Sequence, residues 1–219
     1  MIRIAIDGPG GAGKSTIAKL AAEKMNMEYI DTGAMYRAIG WTFAKNGVDT
    51  TDEKAVSEVL ERTEIDFDHN HIYVNGVDVS GEIRTPEISK AASICSQLPA
   101  VRTKLVAFQR QIAAGKSVVM DGRDIGTNVL PNAEVKIFLT ADPMVRAKRR
   151  YNQLIEAGKE ANLDSIFEDI KERDYQDTHR ALNPLMQAED AVLLDTSEEP
   201  TALPGSASVV ASWICSDFS

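Results

Sequence analysis

The pattern that most constrains this chain lies directly after its first apolar run. Residues 2–6, IRIAI, are apolar apart from Arg3, which is typical of a buried strand in a parallel sheet. Residues 8–15, GPGGAGKS, match the pattern G-x-x-x-x-G-K-[ST], and from Thr16 onward apolar residues recur at helical spacing. Because the pattern lies between a strand and a helix, we predict a phosphate-binding loop rather than a simple glycine-rich turn.

The residue types in this loop suit the phosphates of a nucleotide. Glycines let backbone N–H groups converge on phosphate oxygens, and the helix that follows points the positive end of its dipole at the same place. We expect Lys14 to lie exposed in the loop and to contact the β- and γ-phosphates, and Ser15 to offer its hydroxyl to Mg²⁺. The predicted nucleotide-binding residues are Gly8, Pro9, Gly10, Gly11, Ala12, Gly13, Lys14, Ser15 and Thr16.

Charge and composition argue against several classes of protein. The formal net charge of −9 disfavours nucleic-acid binding. No apolar stretch reaches the length that spans a membrane, and the first strand begins without a signal peptide, so we expect a cytoplasmic protein. The two cysteines, Cys95 and Cys215, are expected to be buried free thiols. An acidic surface without apolar patches favours a monomer.

Five short apolar runs separated by helical patterns predict the fold. The expected strands are residues 2–6, 28–31, 118–120, 135–139 and 191–194. This alternation is typical of an α/β protein with a five-stranded parallel sheet and helices on both faces, the three-layer P-loop NTPase fold. Residues 63–80 differ, because they alternate at period two around the turn sequence Asn75-Gly76. We therefore predict a small antiparallel sheet inserted into the α/β chain.

Charged residues follow several of the predicted strands. Ligands of parallel sheets bind at the carboxyl ends of the strands, and a guanidinium can hold two phosphate oxygens at once. Candidate ligands of an anionic substrate at or near these ends are Arg37, Arg102, Arg123 and Asp124.

Two further groups share helix faces by their spacing. Arg173, Asp177 and Arg180 are spaced i, i+4, i+7, although Arg173 and Asp177 alone would also suit an ordinary surface ion pair. A second helix face carries Arg146, Arg149 and Arg150, for which a solvated surface remains an equal alternative.

Five segments together resemble the bacterial cytidylate kinases. They are GPGGAGKST (8–16), IDTGAMYR (30–37), SGEIRT (80–85), DGRDIGT (121–127) and KERD (171–174), and the resemblance runs over residues 2 to about 196. Residues 197–219 depart from the family, because Pro200 and Pro204 interrupt an expected helix. The resemblance implies a kinase core (1–31 and 103–219), a monophosphate-binding region (32–102) that holds the inserted sheet at about 63–95, and a helical lid (147–165).

The resemblance also implies an activity and roles for residues. It implies transfer of a phosphoryl group from ATP, with Mg²⁺, to CMP or dCMP. It places Arg37 and Arg123 on the acceptor phosphate, Asp177 on the ribose and Arg173 close to the phosphates. The residues that it places around the cytosine are Thr32, Ser93, Arg102, Asp124 and Arg180. The implied catalytic residues are Lys14, Arg123 and Arg173, and the implied metal ligand is Ser15.

Two other functions stay open at this stage. One is a kinase for another small acceptor, such as UMP or a non-nucleotide metabolite. A non-nucleotide kinase would not need Asp124 and Arg102 together with the inserted sheet. The other is a nucleotide switch of the GTPase class. Guanine is usually read by an N-K-x-D sequence, and the chain contains none.

Overall fold

The computed structural model describes residues 1–68, 71–198 and 212, which belong to two units. The first unit comprises Met1–Tyr29 and Lys116–Ser219, and the second comprises Ile30–Gly115. Cys215, predicted to be a buried thiol, and most of the atypical segment 197–219 lie outside the described residues. Cys95 is a buried free thiol, as predicted.

The elements follow the order expected from the sequence. In chain order they are β1 (Arg3–Asp7), α1 (Lys14–Lys24), β2 (Glu28–Asp31), α2 (Thr32–Asn46), α3 (Glu53–Glu61), β3 (Ile65–Asp68), β4 (His71–Val74), β5 (Val77–Asp78), α4 (Pro86–Cys95), α5 (Pro99–Gly115), β6 (Val118–Gly122), β7 (Val135–Thr140), α6 (Pro143–Glu156), α7 (Leu163–His179) and β8 (Val192–Asp195). A 3₁₀ turn at Glu82–Arg84 and a π-helical turn at Ile125–Val129 complete the set.

The parallel sheet has the strand order β2-β6-β1-β7-β8, so the strand that leads into the glycine-rich loop is central. Ile4 pairs with Val119 of β6 on one side and with Val135 of β7 on the other. A central strand has no exposed edge, which explains why Ile4 and Ile6 are fully buried and why the run reads as continuously apolar. The predicted five-stranded parallel sheet is confirmed.

Helix α1 packs on this sheet through small side chains. Ala18 and Ala21 are fully buried, and Ile17 joins them in the same core cluster as the strand residues. Small residues let the helix approach the strands closely, which fixes the direction in which its N-terminus points. The loop between β1 and α1 is thereby held at the carboxyl end of the central strand.

The second unit contains the inserted antiparallel sheet that the sequence predicted. Ile65 pairs with Val74, and Phe67 pairs with Ile72, in an antiparallel register. The turn that follows β4 has positive φ angles at Asn75 (50°) and Gly76 (77°), as expected for an Asn-Gly hairpin. Within the described residues, no helix is both long enough and apolar enough to span a membrane.

The π-helical turn at Ile125–Val129 was not predicted. Its first two backbone N–H groups, those of Ile125 and Gly126, donate to the two carboxylate oxygens of Asp7 at 2.8 and 2.7 Å. Burial of Asp7 raises its pKa to about 6, although these two hydrogen bonds oppose the rise. A side chain 118 positions away therefore fixes this turn, and no local sequence pattern could indicate it.

Candidate active site

The glycine-rich loop needs glycine at its first position for a steric reason. Gly8 has a φ of 145°, and a Cβ at this position would lie 1.9 Å from the carbonyl oxygen of Leu139 on β7. Gly11 and Gly13 also have positive φ angles. Any side chain at position 8 would push the loop away from the sheet, so the loop's path depends on this close approach.

Lys14 lies at the first position of α1 and is buried, contrary to our expectation of an exposed lysine. Its side chain is 6% exposed, and Nζ donates to the carbonyl oxygen of Pro9 at 2.7 Å. Burial, with a further contribution from the nearby charge of Arg123, lowers the pKa of Lys14 to about 7, although the Asp121 carboxylate opposes this. The ammonium group is therefore directed back over the loop.

The depressed pKa predicts that nucleotide binding takes up a proton. Phosphate groups next to Lys14 favour its charged form and should return its pKa towards the ordinary lysine range. At pH 8 Lys14 is mostly neutral before binding, and the nucleotide phosphates are already ionised. The number of protons taken up per site should equal the neutral fraction of Lys14, which is roughly one at this pH. Below pH 6 Lys14 is already charged and the uptake should vanish.

Calorimetric titration with ATP in buffers of different ionisation enthalpy measures this uptake directly. Lys14→Arg is the matched control, because a guanidinium does not titrate in this range. Binding without proton uptake at pH 8 in the wild-type protein would mean that Lys14 is already charged in the free protein.

Ser15 and Asp121 form the part of the site that suits a divalent cation. The Ser15 hydroxyl donates to Asp121 Oδ2 at 2.8 Å, and the Tyr29 hydroxyl donates to Asp121 Oδ1 at 2.9 Å. A hydroxyl and a carboxylate are the oxygen ligands that Mg²⁺ prefers, and Mg²⁺ usually completes its shell with water and substrate phosphates. The donor set therefore fits Mg²⁺, although no cluster of three or more His, Cys, Asp or Glu side chains suited to a metal occurs within residues 1–68 and 71–198.

Arg123 follows β6 and is paired with Asp177 on α7. Its Nε donates to Asp177 Oδ2 at 2.7 Å, and its Nη1 donates to the carbonyl oxygen of Gly122. Burial alone would raise the pKa of Asp177, but the charges of Arg123, Arg173 and Arg180 together with the hydrogen bond from Arg123 outweigh burial and lower that pKa. Both groups are therefore charged. Asp177 is buried, so it does not belong to an ordinary surface ion pair, the alternative that its spacing to Arg173 left open.

Asp124 is paired with Arg180 at the end of α7. Arg180 Nη2 donates to Asp124 Oδ1 at 3.0 Å, and Asn128 Nδ2 donates to Oδ2 at the same distance. Asp124 is 4% exposed and Arg180 is 8% exposed, so the pair lies in the interior of the first unit. A buried carboxylate with two defined donors has a fixed plane, which is what recognition of a planar ligand requires.

Arg146 on α6 is buried against the phosphate-binding loop rather than on a solvated face. It is 2% exposed, and its guanidinium donates to the carbonyl oxygen of Gly10 at 3.0 Å and forms an ion pair with Asp174 at 2.5 Å. Arg149 on the same helix donates to Thr196, whose hydroxyl donates in turn to the carbonyl oxygen of Ala12 at 3.1 Å. Helix α6 is thus tied to the loop at two points.

In the second unit, Asp31 connects the start of α2 to Arg37. Asp31 Oδ1 accepts the backbone N–H of Ala34 at 2.8 Å, and Oδ2 accepts Arg37 Nη2 at 2.9 Å. Gly33 leaves the room for this pair, because a Cβ there would lie 3.1 Å from Arg37 Nη1. The Arg37 Nε is buried and has no hydrogen-bond partner among the described residues. Arg37 is thus held in place with donor capacity left over for an anion.

A model of the cytidylate kinase family matches residues 4–202 of this chain. The chain belongs to the cytidylate kinase family. It is 50% identical over 196 residues to the cytidylate kinase of Alkaliphilus oremlandii (strain OhILAs), and the alignment covers 90% of each protein. It is also 50% identical over 200 residues to the cytidylate kinase of Bacillus subtilis (strain 168), which covers 90% of this chain and 89% of that protein.

Solved structures at low identity share the fold with this member of the cytidylate kinase family. An uncharacterized protein from Eubacterium ventriosum aligns with a TM-score of 0.54 at 13% identity and covers 99% of each chain. Shikimate kinase from Bacteroides thetaiotaomicron aligns with a TM-score of 0.51 at 14% identity and covers 97% of this chain and 96% of its own. At these identities the likeness supports the α/β kinase fold and nothing more specific.

The structure distributes the predicted site residues of this cytidylate kinase family member over both units. The first unit holds the loop residues, Arg123, Asp124, Arg173, Asp177 and Arg180. The second holds Thr32, Arg37, Ser93 and Arg102, of which Thr32 and Arg102 are buried and Ser93 is half-buried. The guanidinium carbon of Arg102 lies 5.9 Å from the centre of the Tyr36 ring, and its Nη1 donates to the carbonyl oxygen of Ser96.

The sequence did not single out several residues that organise the site. Asp121 accepts a hydrogen bond from Ser15, and Asp31 accepts one from Arg37. Asp7 accepts a hydrogen bond from Ile125, in the turn that follows Asp124. All three lie in the last residues of parallel strands, so their position was the available signal. Tyr29 carried no such signal, because a tyrosine in a strand is ordinary. Arg146 was named with its helix face, but its contact with the loop was not predicted.

Proposed function

We propose that this chain transfers the γ-phosphoryl group of ATP to CMP or dCMP and releases ADP and CDP or dCDP. The observation that carries the proposal is the buried Lys14 of the phosphate-binding loop, in a unit that also holds the charged pairs Arg123–Asp177 and Asp124–Arg180. Membership of the cytidylate kinase family supports CMP as the acceptor.

The donor nucleotide is proposed to bind through its phosphates to the backbone of residues 8–16. The positive φ angles of Gly8, Gly11 and Gly13 are of the kind that lets backbone N–H groups converge on phosphate, and the N-terminus of α1 adds its dipole. Lys14 gives up its hydrogen bond to the Pro9 carbonyl and donates instead to the β- and γ-phosphates. This exchange gives the ammonium a stronger acceptor and restores its charge.

Magnesium is the proposed cofactor, with Ser15 as its protein ligand and Asp121 beside it. A Mg²⁺ ion held there would supply positive charge against the charge that develops on the phosphates. The Ser15 hydroxyl has its proton directed at Asp121, so its lone pairs stay available to a cation.

The acceptor phosphate is proposed to be bound by Arg37 and Arg123, with Arg173 close to the transferred group. Phosphoryl transfer needs two nucleotides in line and positive charge around the equatorial oxygens, so the chain needs no covalent nucleophile. Asp177 and Asp31 hold Arg123 and Arg37 before the substrate arrives. This pre-organisation limits the loss of side-chain freedom on binding.

The base and ribose are proposed to be recognised by the polar residues that the family resemblance assigns to them. Asp124, Arg180, Arg102, Ser93 and Thr32 are assigned to cytosine, and Asp177 to the ribose. Cytosine presents an exocyclic amine that a carboxylate accepts, whereas uracil presents a carbonyl at the same place. An ionised Asp124 would repel that carbonyl, so we favour CMP over the alternative acceptor UMP.

Residues 32–102 are proposed as the monophosphate-binding region and residues 147–165 as a lid. The lid segment contains the end of α6, the start of α7 and the connection between them. Residues 155–160 of this connection are all exposed, and Gly158 has a φ of 70°. A segment with few buried apolar contacts opens at low free-energy cost.

We expect hydrogen exchange in residues 147–165 to be fast in the free protein and slower with both nucleotides bound. Closure over the nucleotides would exclude water that otherwise hydrolyses ATP. Strand β7, which is paired on both sides in the parallel sheet and holds no proposed site residue, provides the internal reference. Equal exchange in the two states would show that this segment does not close over the substrates.

Ligand-induced stabilisation tests the proposed function without a turnover assay. A ligand that binds only the folded state raises its stability in proportion to the logarithm of concentration over the dissociation constant. ATP with Mg²⁺, CMP and dCMP should each raise the melting temperature. GTP should not, and UMP should raise it less than CMP at equal concentration. A shift with GTP alone would favour a nucleotide switch and contradict the proposal.

We further propose a cytoplasmic monomer that binds no nucleic acid. The acidic balance of the chain supports this, because its formal net charge of −9 repels a polyanion.

A further inference from the structure

Tyr29 lies behind the proposed magnesium site and is not itself a candidate ligand. It belongs to β2, and its ring is part of the main core cluster with 8% of the residue exposed. The ammonium of Lys19 lies 5.5 Å from the centre of the ring. Because the ring is enclosed by core residues and this cation, the hydroxyl has one defined direction.

That direction leads to Asp121. The Tyr29 hydroxyl donates to Asp121 Oδ1 at 2.9 Å, while Asp121 Oδ2 accepts the Ser15 hydroxyl at 2.8 Å. The two hydrogen bonds act on different oxygens of one carboxylate, which together fix its plane. The chain of contacts Tyr29, Asp121, Ser15 therefore determines where the Ser15 proton points and, in consequence, where the Ser15 lone pairs point.

We propose that Tyr29 is a positioning residue that orients Asp121, and through it Ser15, for binding of the divalent cation. The proposal rests on the proposed function, because it takes Ser15 as the metal ligand. Groups that orient metal ligands from behind commonly change metal affinity by about 10-fold to 100-fold when they are removed.

Loss of the phenol hydroxyl removes one of the hydrogen bonds that hold the Asp121 carboxylate. Asp121 is 5% exposed, so water does not readily replace the lost donor. The carboxylate would then turn towards another positive group, and Lys14 is close enough to interact with it electrostatically. A carboxylate turned towards Lys14 no longer directs the Ser15 proton, and the cation loses a correctly oriented ligand.

Tyr29→Phe is the direct test, because it removes one oxygen and keeps the packing of the ring. Mn²⁺ replaces Mg²⁺, and its binding to the complex with a non-hydrolysable ATP analogue is followed by electron paramagnetic resonance. The expected result is a dissociation constant for Mn²⁺ raised about tenfold. Affinity for the same analogue without metal should change by less than about twofold, because the loop backbone is untouched.

Tyr73→Phe is the matched control, since Tyr73 is a half-buried strand tyrosine of the inserted sheet. Ser15→Ala removes the proposed ligand itself. If Ser15→Ala weakens Mn²⁺ binding while Tyr29→Phe behaves like Tyr73→Phe, the role of Tyr29 is wrong and the proposed function stands. If Ser15→Ala also leaves Mn²⁺ binding unchanged, the proposed metal site itself is wrong.

A purely structural role for Tyr29 has a different signature. It would lower the melting temperature and weaken analogue binding with and without metal to the same degree, which would overturn the proposal. If Tyr29→Phe does not fold, Asp121→Asn gives the second measurement. This variant keeps the phenol in place and removes the carboxylate charge. It should weaken Mn²⁺ binding at least tenfold. Unchanged Mn²⁺ binding in this variant would overturn the proposal.

Discussion

Lys14→Ala is expected to lower kcat/KM for phosphoryl transfer by about 10³-fold while the protein still folds. The lysine is the cation of the phosphate-binding loop, and its removal takes away charge that stabilises the β- and γ-phosphates in the transition state. Burial already disfavours the charged form in the free protein, as the lowered pKa of about 7 indicates. The melting temperature of the variant should therefore stay at or above that of the wild type.

A coupled assay of ADP release and a thermal melt together test this expectation. Lys54→Ala is the control, because the Lys54 side chain is 85% exposed and lies on α3. A Lys14→Ala variant within a factor of about three of wild-type activity would contradict the assignment of the loop.

Asp124→Asn should change which base is accepted, whereas Arg37→Ala should not. An amide that replaces the carboxylate no longer provides the charge that accepts the cytosine amine. We expect a loss of about 2–4 kcal/mol in kcat/KM for CMP. The ratio of CMP to UMP activity should fall at least tenfold, in line with about 1.4 kcal/mol per factor of ten. Arg37→Ala should lower both activities by about 10²-fold and leave the ratio nearly unchanged, because both substrates carry the same phosphate.

The surroundings of Asp124 decide which substitution is informative. Its partner Arg180 is buried, so Asp124→Ala would leave a guanidinium in the interior without its carboxylate and destabilise the protein by about 3–5 kcal/mol. Asp124→Asn keeps the shape and an acceptor for Arg180. Values of kcat/KM for CMP and UMP, measured on folded variants, show whether Asp124 recognises the base. Equal losses for both substrates would mean that Asp124 positions Arg180 and does not read the base.

Local sequence patterns were sufficient to predict the elements of this chain. The strand at residues 2–6 could be predicted because burial on both faces requires a continuous apolar run. The loop could be predicted because its positive φ angles require glycine. The Asn75-Gly76 hairpin is another such case. These elements depend on spacing and residue type alone, whereas the strand order β2-β6-β1-β7-β8 was not predicted.

The partners of the charged residues could not be predicted in this way. The spacing of Asp177 left open a surface ion pair with Arg173, but it could not indicate the hydrogen bond from Arg123, which is 54 positions away. Arg146 suited a solvated face equally well, and it is buried between the loop and Asp174. Such pairings are set by which strand ends meet in the folded sheet, and a helix-face pattern holds no information about that.

The burial of Lys14 shows the same limit. Its motif indicated a phosphate ligand, but nothing in the motif indicates where the ammonium lies without phosphate. In the folded protein it donates to the Pro9 carbonyl five residues earlier. The glycines of the loop make this possible, because they let the backbone curl around the side chain.

Release of ADP from ATP and Mg²⁺, measured with CMP, dCMP, UMP, AMP and GMP in turn, tests the central claim most directly. The account predicts that CMP or dCMP gives the highest kcat/KM and that UMP is at least tenfold slower, because the buried carboxylate of Asp124 would face a carbonyl instead of an amine. AMP and GMP should give only background release. Equal rates with CMP and UMP, or faster release with a purine monophosphate, would contradict it.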